Sequence, residues 1–187
     1  WVDLPESSRT LLPEIDALTA KFRHIKTIVL AGMGGSSLAP EVIAKSFGRE
    51  LFILDSTDPN YLAHAINGDL PTTLVVVSSK SGSTIETSSA RAAFAAAFTQ
   101  AGLRVADHMV VVTDPDSPLD RDARSQGLSV INADPHVGGR FSALSAFGLV
   151  PSALAGVDVS LLLDAASDCK KNFLADGAAI IDLAWLL

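Results

Sequence analysis

The sequence predicts a doubly wound α/β protein, a three-layer sandwich around a five-stranded parallel sheet. Five short runs rich in Val, Ile and Leu are continuous rather than alternating, as strands covered on both faces must be. Segments of helical length separate the runs, which is the pattern of βαβ units. The 187 residues suffice for one such domain with a substantial core and are too few for two large ones.

The elements follow in order. Residues 11–23 predict a helix packed against the sheet, and Thr27-Ile28-Val29-Leu30-Ala31 the first strand. A crossover helix is expected over 38–47, the second strand over 51–54 and another helix over 59–66. The third strand is Leu74-Val75-Val76-Val77. Ser83, followed three residues later by Glu86, reads as a capping box opening an Ala-rich helix that runs to about Ala101. Met109-Val110-Val111-Val112 is the fourth strand. Ser117, Pro118 and Gly127 stand as N-cap, first-turn proline and C′ glycine of the next helix. Leu128-Ser129-Val130-Ile131 closes the sheet, and beyond it the pattern is helical only, over 142–154, 160–173 and 176–187.

Composition narrows the classes of function. Hydrophobic residues make up 48% and charged residues 19%, with a mean hydropathy of +0.34, which fits a packed domain rather than a disordered chain. No apolar run approaches the ~18 residues of a bilayer span, so no membrane role is expected. A net charge of −7 argues against nucleic acid, because an acidic chain gains nothing from counterion release. Acidity does not forbid an anionic ligand, since phosphate is usually held by local backbone N–H groups. Cys169 is the single cysteine. It leaves no internal disulfide and no thiolate set for zinc, and it suits a cytoplasmic location.

Ligands of open parallel sheets bind beyond the carboxyl ends of the strands, and three polar segments compete for that place. Gly32-Met33-Gly34-Gly35-Ser36-Ser37 follows the first strand; its glycines let backbone approach an anion, and the next helix directs free N–H groups at it. A plain strand-to-helix turn is the bland alternative. A dinucleotide site, with Asp55 as the ribose acid, is the rival, although Ser37 occupies the third glycine position of that fingerprint. Ser78-Ser79-Lys80-Ser81-Gly82-Ser83-Thr84 follows the third strand and gathers five hydroxyls and one ammonium at a helix start. That is the strongest anion site in the chain, though Ser83 serving only as a cap, and Ser78 within a polar loop, would also account for those two. In Val137-Gly138-Gly139-Arg140-Phe141-Ser142, Arg140 stands just ahead of the helix start expected at Ser142 and could stabilise a developing oxyanion. A surface arginine is the commoner fate.

Taken together, Gly34-Gly35-Ser36, Ser79-Lys80-Ser81-Gly82-Ser83-Thr84-Ile85-Glu86-Thr87 and Gly138-Gly139-Arg140-Phe141-Ser142 resemble the three ordered motifs of the phosphoglucose isomerase family. They fall in the family's order, within the N-terminal of its two sugar-isomerase (SIS) domains. The resemblance implies an SIS-type, flavodoxin-like fold and an aldose–ketose isomerisation between glucose 6-phosphate and fructose 6-phosphate through a cis-enediol, without metal or organic cofactor. By position, Gly35 and Ser36 would contact the sugar phosphate. Ser79, Lys80, Ser81, Ser83 and Thr84, with the Gly82 backbone, would form the phosphate pocket, supported by Thr87. Arg140, beside Gly139, would stabilise the enediolate, and Glu86 would orient a ring-opening histidine.

The family's proton-abstracting glutamate, ring-opening histidine and late lysine belong to its second half, and no matching segment stands here. His136 lies near Arg140, but the family motif does not place its histidine there; His24, His64 and His108 read as surface or structural residues. Ser81 stands where many relatives carry threonine. The expectation is a single SIS domain over 1–187, part of a longer two-domain protein, with the helices of 155–187 leading toward a second lobe and a homodimer as the family's usual assembly. A non-catalytic phosphosugar-binding module, an isomerase of a related sugar such as mannose 6-phosphate, and a nucleotide-dependent oxidoreductase are the alternatives.

Overall fold

The computed structural model describes residues 1–175; the helix expected over 176–187 lies outside the described residues. Strands β1 (Thr27–Gly32), β2 (Phe52–Leu54), β3 (Thr73–Ser78), β4 (Met109–Thr113) and β5 (Ser129–Asn132) form one parallel sheet in the order β2-β1-β3-β4-β5. Each run thus forms a strand, with no end shifted by more than one residue. Gly32 pairs with Ser78, and Ser78 with Val112, so the exits of β1, β3 and β4 lie side by side.

Continuous apolar strands require cover on both faces, and the period of two sorts their side chains between two cores. Leu30, Leu74, Val76, Val110, Val112 and Ile131 pack on one face against helices α2 (Leu12–Lys21), α7 (Ala146–Leu154) and α8 (Val159–Ala175). Val29, Ala31, Val75, Val77, Val111 and Val130 pack on the other, against α4 (Pro59–Ile66), α5 (Ile85–Gln100) and α6 (Pro118–Ser125). The three layers expected are present. Helix α3 (Gly35–Ser46) packs on α7, and the four-residue α1 (Leu4–Ser7) lies against α8. Among the described residues no helix is long and apolar enough to cross a membrane, and no group of three or more His, Cys, Asp or Glu side chains could hold a metal ion.

Local capping chemistry sets several helix ends as expected. The Ser117 hydroxyl accepts from the Asp120 N–H at 3.0 Å, Pro118 opens α6, and Gly127 follows the helix at φ +71°. Three starts differ from expectation. α3 begins at Gly35 rather than Leu38, which leaves Pro40 inside the helix instead of in its first turn. α7 begins at Ala146, where the Ser145 hydroxyl accepts from the Phe147 N–H; Ser142 instead follows a 3₁₀ turn, Gly139–Phe141. The capping box at Ser83 and Glu86 does not form. Thr84 is the N-cap residue of α5 and gives no side-chain cap, and the Ser83 hydroxyl bonds Ser81 instead.

A buried carboxylate joins α6 to the sheet. Asp120, 6% exposed, accepts from Asn132 Nδ2 of β5 (3.0 Å), Arg124 Nε (2.9 Å) and the backbone N–H of Asp116 (3.1 Å). Among the described residues Asp116 is the non-glycine residue at positive φ, +58°, and this bond helps hold it there. Burial alone would raise the Asp120 carboxyl, but the bonds from Asn132, Arg124 and Asp116 outweigh it and hold the group below its ordinary value.

The sign of the pH effect follows. A lowered folded value stabilises the protein fully above the unfolded value near ~3.9, and that stabilisation is lost as the pH falls through the folded value. Asp120→Asn is expected to cost about 1–3 kcal/mol at pH 7, with the gap to the parent narrowing below about pH 4. Urea unfolding at pH 7 and pH 3 measures it; a gap equal at both would remove the carboxylate's charge from the account.

Candidate active site

The strand order reverses between β1 and β3, and the connections leaving those strands run to opposite faces: α3 beside α7, α5 within the other core. Such a switch point opens a crevice beyond the carboxyl ends of the strands. A cavity of about 450 Å³ lies there, within the size range of small-molecule sites. Gly35, Ser36, Ser79, Lys80, Ser81, Thr84 and Gly139 line it, so all three motifs meet at one place although Gly35 and Gly139 are far apart in the chain.

Two helices start at this cavity. At α5 the N–H groups of Ile85, Glu86 and Thr87 have no hydrogen-bond partner among the described residues. At α3, Ser36 and Ser37 donate to the Met33 and Gly34 carbonyls at 3.2 and 3.0 Å, which leaves the Gly35 N–H, and the helix dipoles add positive potential. Within the loop after β3, the Ser79 hydroxyl accepts from the Gly82 N–H (3.2 Å) and lies 3.2 Å from the Thr84 hydroxyl. Ser81 accepts from the backbone N–H and hydroxyl of Ser83, at 3.2 and 3.0 Å. The loop is therefore a set of hydroxyls held in place by one another.

Two glycines are sterically required. A Cβ on Gly35 would lie 2.1 Å from the carbonyl oxygen of Gly139, so the first and third motifs touch through bare backbone. Gly82 adopts φ +68°, and a Cβ there would lie 2.7 Å from the Leu119 Cβ and 2.9 Å from its backbone nitrogen. The phosphate-loop candidate thus rests directly on the start of α6.

The remaining expected residues stand around the cavity rather than in its wall. Gly82 and Thr87 line a smaller neighbouring cavity of about 160 Å³, beside the Arg91–Asp122 ion pair at 2.6 Å. Thr87 is buried and its hydroxyl has no partner among the described residues. Ser83 is exposed, and Glu86 sits half-buried in the first turn of α5. Arg140 lies in the 3₁₀ turn, exposed and without an ion pair among the described residues; the next residue, Phe141, stacks on Trp1 at 5.6 Å. His108 is buried and structural, its ring nitrogen bonded to the Thr73 carbonyl at 3.0 Å and its ring stacked on Phe98. His136 and His24 are exposed.

Lys80 differs from expectation. Its ammonium donates to Asp114 (2.7 Å) and to the Pro135 carbonyl (3.1 Å), so its charge is neutralised within the protein. Asp114 is a cavity-lining residue that sequence reasoning did not select, while Met33 and Ser78, which also line the cavity, lie within two of the polar segments but were assigned no contact of their own. Asp114 directly follows β4, and its place after a strand's carboxyl end was the available signal. Ser78, 1% exposed, is the last residue of β3, and its hydroxyl has no partner among the described residues.

Gly35→Ala is expected to lower stability by about 1–3 kcal/mol through overpacking against Gly139. Ser36→Ala, beside it, should stay within about 0.5 kcal/mol, the scale of an ordinary surface substitution. Chemical denaturation of the two variants checks this, and equal costs would remove the steric account.

Comparison with known proteins agrees with the geometry. A family model described as phosphoglucose isomerase matches residues 9–180. The chain is 40% identical, over 84% of its length, to a glucose-6-phosphate isomerase of Citrifermentans bemidjiense. Among solved structures, a hypothetical protein of Thermus thermophilus superposes over 94% of the chain with a TM-score of 0.86 and 37% identity. A glucose-6-phosphate isomerase of Chlamydia trachomatis superposes over 87% with a TM-score of 0.79 and 33% identity. The chain spans 32%, 44% and 33% of the lengths of these three proteins. With the three motifs converged on one cavity and the family model matching nearly the whole sequence, the chain belongs to the phosphoglucose isomerase family.

Proposed function

We propose that this chain supplies the phosphosugar-binding part of a glucose-6-phosphate isomerase, which interconverts glucose 6-phosphate and fructose 6-phosphate through a cis-enediol. The observation that carries the reading is the convergence of Gly35, Ser36, Ser79, Ser81, Thr84 and Gly139 on a cavity faced by two helix N-termini. Backbone N–H groups and small hydroxyls suit a phosphate ester, which needs several donors and little bulk. They hold the anion in a chain of net charge −7 without a free cation in the pocket wall among the described residues.

In this reading Ser79, Ser81, Ser83 and Thr84 form the phosphate loop around the Gly82 backbone, with Thr87 beneath it. Arg140, without an ion pair among the described residues and next to Gly139, stabilises the enediolate charge. Glu86, freed from a capping box, orients a ring-opening histidine. An aldose–ketose shift also needs a base within reach of the C2 proton. That base, the histidine and a lysine come from the further length that relatives possess, toward which the chain after residue 155 leads. The whole protein acts in the cytoplasm as a homodimer. A phosphosugar-binding module without catalysis is the second reading, favoured by the placement of Arg140 and Glu86 outside the wall of the main cavity.

Calorimetric titration with glucose 6-phosphate, paired with an isomerase assay, separates these readings. The chain alone is expected to bind without turnover, and a chain extended to the length of its relatives to turn over. Turnover by the chain alone would place the base within it. Failure to bind would overturn the phosphosugar assignment. Ser79→Ala removes a donor to the ester and leaves the Gly82 N–H unpaired, so affinity should fall about 10- to 100-fold, matching about 1.5–3 kcal/mol for a charge-assisted bond. An unchanged affinity would place the phosphate elsewhere.

A further inference from the structure

The Lys80 ammonium bridges segments that leave three different strands. Lys80 follows β3, Asp114 follows β4, and Pro135 lies on the exit of β5, five residues before Arg140. Longer bonds reinforce the junction: the Lys80 carbonyl accepts from the Thr113 hydroxyl at 3.5 Å and from the Asp114 N–H at 3.4 Å. The second oxygen of Asp114 is buried and has no partner among the described residues. Lys80 is therefore the charge that answers this carboxylate.

The geometry points to Asp114 as a positioning residue of the phosphosugar site, acting through Lys80. This rests on the phosphosugar reading of the cavity. Asp114 does two things there. It takes up the lysine's charge, so an entering phosphate meets a neutral pair and is held by N–H and hydroxyl donors. It also fixes the ammonium against Pro135, which ties the phosphate loop to the segment that carries Arg140. An ion pair remote from the anion would do neither, since its loss would leave anion affinity and its salt dependence unmoved.

Inorganic phosphate and glucose 6-phosphate would be titrated into the parent chain, Asp114→Asn, Asp114→Glu and the double variant Asp114→Asn/Lys80→Met. The titrations run at low and high salt, with hydrogen exchange followed over residues 134–141. Asp114→Asn frees one positive charge beside the anion and should tighten phosphate about ten-fold at low salt, a gain that high salt abolishes and the double variant removes. Exchange over 134–141 should quicken in Asp114→Asn and return toward the parent's rate in Asp114→Glu. Phosphate binding in Asp114→Asn equal to or weaker than the parent's, or unchanged protection of 134–141, would overturn the assignment to Asp114 alone. A parent chain that binds neither ligand would overturn the phosphosugar reading itself, and this inference with it.

Discussion

Two neighbouring parallel strands whose connections depart to opposite faces cannot close the space beyond their own carboxyl ends. β1 and β3 are such a pair, registered through Gly32 and Ser78. The crevice between them is filled only by what the loops supply, and here the loops supply backbone, hydroxyls and two helix starts. The direct approach of Gly35 to the Gly139 carbonyl then brings the third motif over the crevice. A single methyl group at that point would push the two segments apart.

The electrostatics of the site follow from that arrangement rather than from side-chain charge. The chain is acidic, and the lysine in the cavity wall is paired with Asp114. Positive potential comes from the helix dipoles and from the N–H groups of Gly35, Ile85, Glu86 and Thr87, which are fixed in direction by the fold and need no flexible cation to find its place. The hydroxyls of Ser79, Ser81, Ser83 and Thr84 bond among themselves, so the loop is organised by its own side chains. Gly82 seats it on α6, whose buried Asp120 is bonded in turn to β5. The loop after β3 is thereby connected to the far edge of the sheet.

The strands were legible because burial on both faces demands uninterrupted apolar runs, and few other structures tolerate them. The cap at Ser117 was legible because Ser, Pro and Gly have strong local preferences at those positions. The start of α5 was misread because Ser83 and Glu86 satisfy a local pattern while competing partners five residues or fewer away changed the outcome: Ser83 bonds Ser81, and the Thr84 hydroxyl lies against Ser79. The α7 start at Ala146 shifted for a similar reason: the Ser142 hydroxyl donates back to the Gly139 carbonyl, and Ser145 instead caps the helix by accepting from the Phe147 N–H.

By itself the sequence determined the five strands, the doubly wound class, the acidity and the three polar segments that follow strands, because these depend on periodicity and residue chemistry over short spans. Only the tertiary structure decided that Gly35 meets Gly139, that Lys80 is held by Asp114 thirty-four positions away, and that Ser78 stands with an unpartnered hydroxyl at the cavity. Those facts depend on which strand exits lie side by side, and that order is set by packing of the whole sheet between its helices.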